Sequence, residues 1–126
     1  MQETHYQRVG GEEGVRRLVD RFYDLMEGYE NIRKLHPQDL ADSREKLFLF
    51  LSGWLGGPQL YVEKFGHPKL RQRHLPFSIG TEERDAWMAC MKQAMLDVGL
   101  DGLLYEQLLM SFHKTADFMR NKDQGS

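Results

Sequence analysis

Apolar residues in this chain recur at every third or fourth position, in segments cut short by glycine and proline. Val15, Leu18, Val19, Phe22 and Met26 share one helical face, and Gly28 with the turn-rich stretch after it ends that segment. A second stripe, Leu47, Phe50, Leu51, Trp54 and Leu55, predicts a helix starting near Ser43. Phe48 and Leu49 widen the stripe until the helix is apolar nearly all round, which calls for burial. Gly56-Gly57-Pro58 stops it. No segment alternates with period two for long enough to make a strand, so the expected fold class is all-α.

The breakers define the rest. Residues 59 to 65 suit one or two turns closed by Gly66. His67-Pro68 then interrupts, because a residue before proline avoids the α region. A short piece from Lys69 to His74 ends at Pro76. Thr81 is the expected cap of a long helix, with Glu82 and Glu83 in its first turn, where the helix dipole favours acids. Trp87, Met88, Met91, Met95 and Val98 give its buried face and Gly99 its stop. Asp101 is the expected cap of a last helix carrying Leu104, Tyr105, Leu108, Leu109, Phe112 and Met119. Two long helices joined by Gly99-Leu100-Asp101 predict an antiparallel hairpin. The expectation is a single domain over residues 1–126, with residues 1–5 and 121–126 as frayed tails.

Charge and composition exclude several functions. Seventeen Lys and Arg stand against nineteen Asp and Glu, far from the basic field of a nucleic-acid binder. No apolar run is long enough to span a membrane, and the polar start lacks the apolar core of a secretory leader. One cysteine, Cys90, cannot form an intrachain disulfide, which suits a reducing cytoplasm. Two Trp, five Tyr, seven Phe and seven Met supply large polarizable surface, for a core or for a flat cofactor.

Few residues carry chemistry. Gly10-Gly11 and Gly14 form a GGxxG with no strand before it, so a flexible lead into the helix is expected rather than phosphate binding. Glu12-Glu13 and Glu82-Glu83 read as capping and solvation. The five histidines, His5, His36, His67, His74 and His113, show no metal-binding spacing. A lone histidine is more often structural, but His74 stands out. It ends a short helix between breakers in LRQRHLPF, with Leu70, Leu75 and Phe77 around it. A neutral imidazole among apolar groups can coordinate a buried iron, and Arg71 and Arg73 could pair with carboxylates at a cofactor's edge. Tyr23 lies beside the first buried stripe, where a phenol needs a hydrogen-bond partner. Trp87 opens the apolar face of the helix after Thr81.

Residues 50 to 91, FLSGWLGGPQLYVEKFGHPKLRQRHLPFSIGTEERDAWMACM, together with GVRRLVDRFYDLM and LHPQDLADSREKLF upstream, resemble group II truncated haemoglobins. The LRxRHxPF and ERDAW blocks occur in order around the expected breakers, and the similarity spans roughly residues 6 to 120. The resemblance implies a truncated globin fold, a two-over-two helical sandwich around haem b. It places His74 as the proximal iron ligand. Tyr23 and Trp87 fall at the distal polar positions, with His36 where the family usually carries an aromatic residue. Ser43 falls where ordinary globins place a distal histidine, and Leu47 one turn on. Phe50, Leu51, Phe77, Ile79 and Met91 are implied apolar haem contacts, with Tyr61 and Arg71 toward the propionate edge.

The implied function is reversible binding of oxygen, and of other diatomic ligands such as CO and NO, by an oxygen-carrying or oxygen-transporting protein of the cytoplasm. The alternative is haem-dependent nitric oxide dioxygenation, or peroxidase-like detoxification of reactive nitrogen and oxygen species. Either turnover would need an external reductase, since the chain has no flavin or nicotinamide module. Neither a nucleic-acid nor a membrane partner is expected, and a monomer or homodimer fits equally.

Overall fold

The computed structural model of the protein describes residues 3–34, 40–67 and 80–119. Among these residues all regular structure is helical. The helices are α1 (His5–Val9), α2 (Gly11–Met26), α3 (Glu30–Arg33), α4 (Ala41–Trp54), α5 (Leu60–Phe65), α6 (Thr81–Asp97) and α7 (Gly102–Phe118).

The apolar stripe of α2 does what its spacing requires. Val15, Leu18, Val19, Phe22 and Met26 are wholly removed from solvent, each side chain contributing about 1.5–3 kcal/mol relative to exposure. They pack with Met91, Ala94 and Met95 of α6 and Leu108 of α7 in one core.

The long helices form two pairs. Arg16 of α2 bonds Glu45 of α4 at 2.8 Å, while Tyr23, two turns further along α2, meets Ser43, nearer the start of α4. The two helices therefore run in opposing directions. Arg84 at the start of α6 bonds Asp117 at the end of α7 at 2.6 Å, which makes α6 and α7 the antiparallel hairpin that the short connection predicts. Arg21 bonds Asp97 across α2 and α6 at 2.7 Å, and Trp54 stacks on Phe112 across α4 and α7 at 4.7 Å. These contacts lay one pair against the other.

The turn between α6 and α7 closes by backbone bonding. Gly99 takes φ +90°. Its N–H donates to Leu96 O at 3.1 Å, and the Leu100 N–H reaches Met95 O at 2.9 Å. Leu100 tucks under the helix it ends, an arrangement open to glycine at little cost.

Three local features differ from the sequence expectation. Thr81 is the first residue of α6 rather than its cap. Gly80 holds the cap position in extended backbone, and its N–H donates to the Glu83 carboxylate at 2.7 Å. Asp101 does stand at the cap of α7, but its side chain makes no capping hydrogen bond. The GGxxG segment is a fixed corner rather than a flexible lead. Gly10 closes α1 at φ +118°, and Gly14 lies so close to α1 that an added Cβ would sit 2.1 Å from the Val9 carbonyl oxygen.

The short α1 had no signal in the apolar spacing. Thr4 and Gln7 cap it reciprocally, at 2.9 and 3.1 Å. The Tyr6 N–H then donates to Leu55 O at 2.9 Å, and the Tyr6 ring fills the space beside Gly57, where a Cβ would fall 2.5 Å from it.

Candidate functional site

The site is set where α2, α4, α6 and α7 converge. Tyr23 follows Phe22 on the buried face of α2 and is only 4% exposed. Its hydroxyl donates to the Ser43 carbonyl oxygen at 3.3 Å, near the start of α4. Burial pushes the phenol well above its ordinary range, and the nearby Arg44 guanidinium offsets only part of that. The hydroxyl therefore keeps its proton and remains a donor.

A chain of rings crosses the site. Phe22 stands edge-on to Tyr23 at 5.2 Å and meets Trp87 of α6 at 5.1 Å. Trp87 meets Phe112 of α7 at 5.8 Å, and Phe112 stacks on Trp54 of α4. All four long helices thus contribute a ring. Trp87, Trp54, Leu47, Phe50 and Leu109 pack against the core while remaining only partly covered. Large apolar side chains held only partly covered on these helices suit a flat, apolar group laid against them. The chemistry of these residues suits a haem: rings to lie against its face and, in Tyr23, a neutral donor.

The remaining implied contacts divide. Phe50 meets Tyr61 of α5 edge-on at 6.2 Å, and Tyr61 is buried between Phe50 and the half-exposed Phe65, 5.0 Å away. Leu51 and Met91 lie in the interior of the core itself. Ser43 joins Tyr23 through its backbone. Tyr23 and Trp87 are brought together through Phe22, which touches both. His36, Arg71, His74, Phe77 and Ile79 lie outside the described residues. Among the described residues, no group of three His, Cys, Asp or Glu side chains gathers as a metal site, and no helix is long and apolar enough to cross a membrane.

Sequence reasoning missed three residues of this region. Trp54 and Phe112 appeared only as core positions, although they carry the ring chain across α4 and α7. Arg44 was passed over altogether. Its guanidinium bonds Asp20 at 3.1 Å and Asp24 at 2.9 Å, and lies 5.6 Å from the Tyr23 ring centre. The available signal was the pair of acids one helical turn apart on α2, flanking Tyr23.

Known proteins agree with this architecture. The sequence profile of the bacterial-like globins matches residues 4–121. The group 2 truncated haemoglobin YjbI of Bacillus subtilis is 45% identical over 114 residues, covering 90% of this chain and 86% of that protein. The crystal structure of the group II truncated haemoglobin from Bacillus anthracis superposes with a TM-score of 0.95 at 38% identity, covering 100% of this chain and 98% of that one. The X-ray structure described as a truncated oxygen-avid haemoglobin from Bacillus subtilis matches with a TM-score of 0.90 at 44% identity, over 94% and 100% of the two chains. The two-over-two arrangement of α2, α4, α6 and α7 is shared with these structures. By its sequence and its fold, then, the chain belongs to the bacterial-like globins, among the truncated haemoglobins of the second group.

Proposed function

We propose that this protein reversibly binds dioxygen at a haem b held between the two helix pairs, with His74 as the single protein ligand on the proximal side. The haem iron supplies the ligand-binding chemistry, and the chain supplies the surroundings. One observation carries the reading. The Tyr23 hydroxyl is buried and protonated, and Phe22 joins its ring to Trp87 at the half-covered apolar surface. Oxygen bound to ferrous haem carries partial negative charge, so a donor held in a low-dielectric pocket slows its departure. Carbon monoxide carries less charge and responds less. Trp87 brings a second donor, its indole N–H, and His36 tunes the set. The family relative described as oxygen-avid supports oxygen over other diatomic ligands. A cytoplasmic location suits the single cysteine.

The test is the optical spectrum of the purified protein: oxidised, reduced, and reduced with carbon monoxide or oxygen. The expected result is a histidine-ligated ferrous haem that takes up both gases and releases oxygen on removal. A protein that holds no haem, or whose reduced form is oxidised by air with no stable oxygenated species, refutes the reading.

A further inference from the structure

Arg44 occupies a position between two carboxylates and the distal phenol. Its Nη1 bonds the Asp20 carboxylate at 3.1 Å and the Asp20 backbone oxygen at 3.2 Å, and its Nη2 bonds the Asp24 carboxylate at 2.9 Å. Asp20 and Asp24 are one turn apart on α2 and straddle Tyr23 in sequence. Arg44 directly follows Ser43, whose carbonyl oxygen accepts the hydrogen bond from the Tyr23 hydroxyl. One turn along α2, Arg16 bonds Glu45 at 2.8 Å and lies over the Phe48 ring at 3.7 Å. The first turns of α4 are therefore fixed along α2 by charged ties as well as by core packing.

A phenol has one proton to give. Each fraction of time it spends on the Ser43 carbonyl is lost to a ligand in the pocket. The contact at 3.3 Å is long for an O–H donor, so a small displacement of α4 shifts the balance.

We infer that Arg44 is a positioning residue for the distal site: by bridging Asp20 and Asp24 it holds the Ser43 carbonyl where that oxygen competes with bound ligand for the Tyr23 proton. The inference rests on the proposed oxygen-binding role of Tyr23. Arg44 thereby speeds oxygen release without touching the ligand. The bridge is reachable by solvent, with side-chain exposure of 29% for Arg44, 50% for Asp20 and 56% for Asp24. It is therefore a modest lever and is sensitive to salt.

The experiment uses the haem-loaded protein. Arg44→Met keeps the aliphatic stem and removes the charge. Oxygen release should slow by about threefold, the scale of an exposed ion pair. The C–O stretch of bound carbon monoxide should fall, as it does when a donor turns toward the ligand. The 13Cζ resonance of labelled Tyr23 in the carbon monoxide form should shift with the change of acceptor. Arg44→Lys should restore the parent values in part. Asp20→Asn with Asp24→Asn should reproduce Arg44→Met from the other side of the bridge, and high salt should move the parent in the same direction. On a Tyr23→Phe background all these effects should vanish. An unchanged oxygen off-rate in Arg44→Met, or a change that survives in Tyr23→Phe, overturns the inference. If Tyr23→Phe itself speeds release while Arg44→Met changes nothing, the Arg44 role alone fails. If Tyr23→Phe changes nothing, the distal role of Tyr23 fails with it.

Discussion

Trp87 rests on Phe22 with ring centres 5.1 Å apart and planes inclined at 55°. Through that contact the α6 indole is held against the same residue that stands edge-on to Tyr23. The two polar rings are thus positioned by one apolar ring between them. Tyr23→Phe removes only a hydroxyl, whereas Trp87→Phe also opens space beside Phe22 and Phe112. A hydrogen bond to a partly charged partner in a low-dielectric pocket contributes about 1–3 kcal/mol, so Tyr23→Phe should speed oxygen release roughly ten- to a hundredfold. Carbon monoxide release should change far less in Tyr23→Phe. In Trp87→Phe both gases should change, because the opened space acts on both. Stopped-flow displacement separates the two outcomes.

His74→Ala should lose its haem during purification, or retain an iron whose histidine-type spectrum returns when imidazole is added. Haem content by pyridine haemochrome and the spectrum with and without imidazole check this. Full haem content with an unaltered histidine-ligated spectrum would assign the proximal ligand elsewhere.

Gly14→Ala should behave oppositely in two contexts. In the whole chain its methyl would meet the Val9 carbonyl at 2.1 Å. Backbone cannot yield as a side chain can, so the change should cost about 1–3 kcal/mol. In a variant lacking residues 1–9 the obstacle is gone, and alanine should stabilise α2 by up to about 1 kcal/mol over glycine. Urea unfolding of the four proteins measures both signs.

Cys90 makes stability fall at alkaline pH. Burial pushes its thiol up to about 11 in the folded chain, while an unfolded thiol ionises near about 8.5. Above that lower value the unfolded state has lost a proton that the folded state keeps. Unfolding then releases a proton, and stability declines as pH rises until the folded thiol ionises too. Cys90→Ala should remove that part of the decline. Unfolding midpoints from pH 7 to 11 test it, and a parent and variant with parallel profiles would refute it.

How much of this was legible in the sequence depends on what each feature is made of. The stripe from Val15 to Met26 and the hairpin across Gly99 follow from side-chain spacing and from one residue's backbone freedom, and both were readable. The cap of α6 was misplaced by one residue, because Gly80 takes the extended cap conformation with its N–H on the Glu83 side chain, and Thr81 already lies within the helix. The corner at Gly10 and Gly14 looked flexible because glycine signals either freedom or close approach, and only the position of Val9 decides between them. The pairing of Tyr23 with α4 was anticipated only as a need for some partner. That the partner is a backbone oxygen, held in place by Arg44, depends on the register of two helices, which no local pattern encodes.

The docking of Tyr6 against Leu55 and Gly57 also bears on how the chain matures during synthesis. α1 is made before its acceptor oxygen and the bare glycine beneath its ring, which arrive only with residues 55–57. Until then α1 has only the Gly14 corner of α2 to lie against, and a helix of five residues does not persist by itself in water. The α6–α7 hairpin, whose partners are near neighbours in sequence, closes quickly once made, because short loops cost little entropy to form. α1 thus waits for α2, α3 and α4 to follow it before its docking is complete.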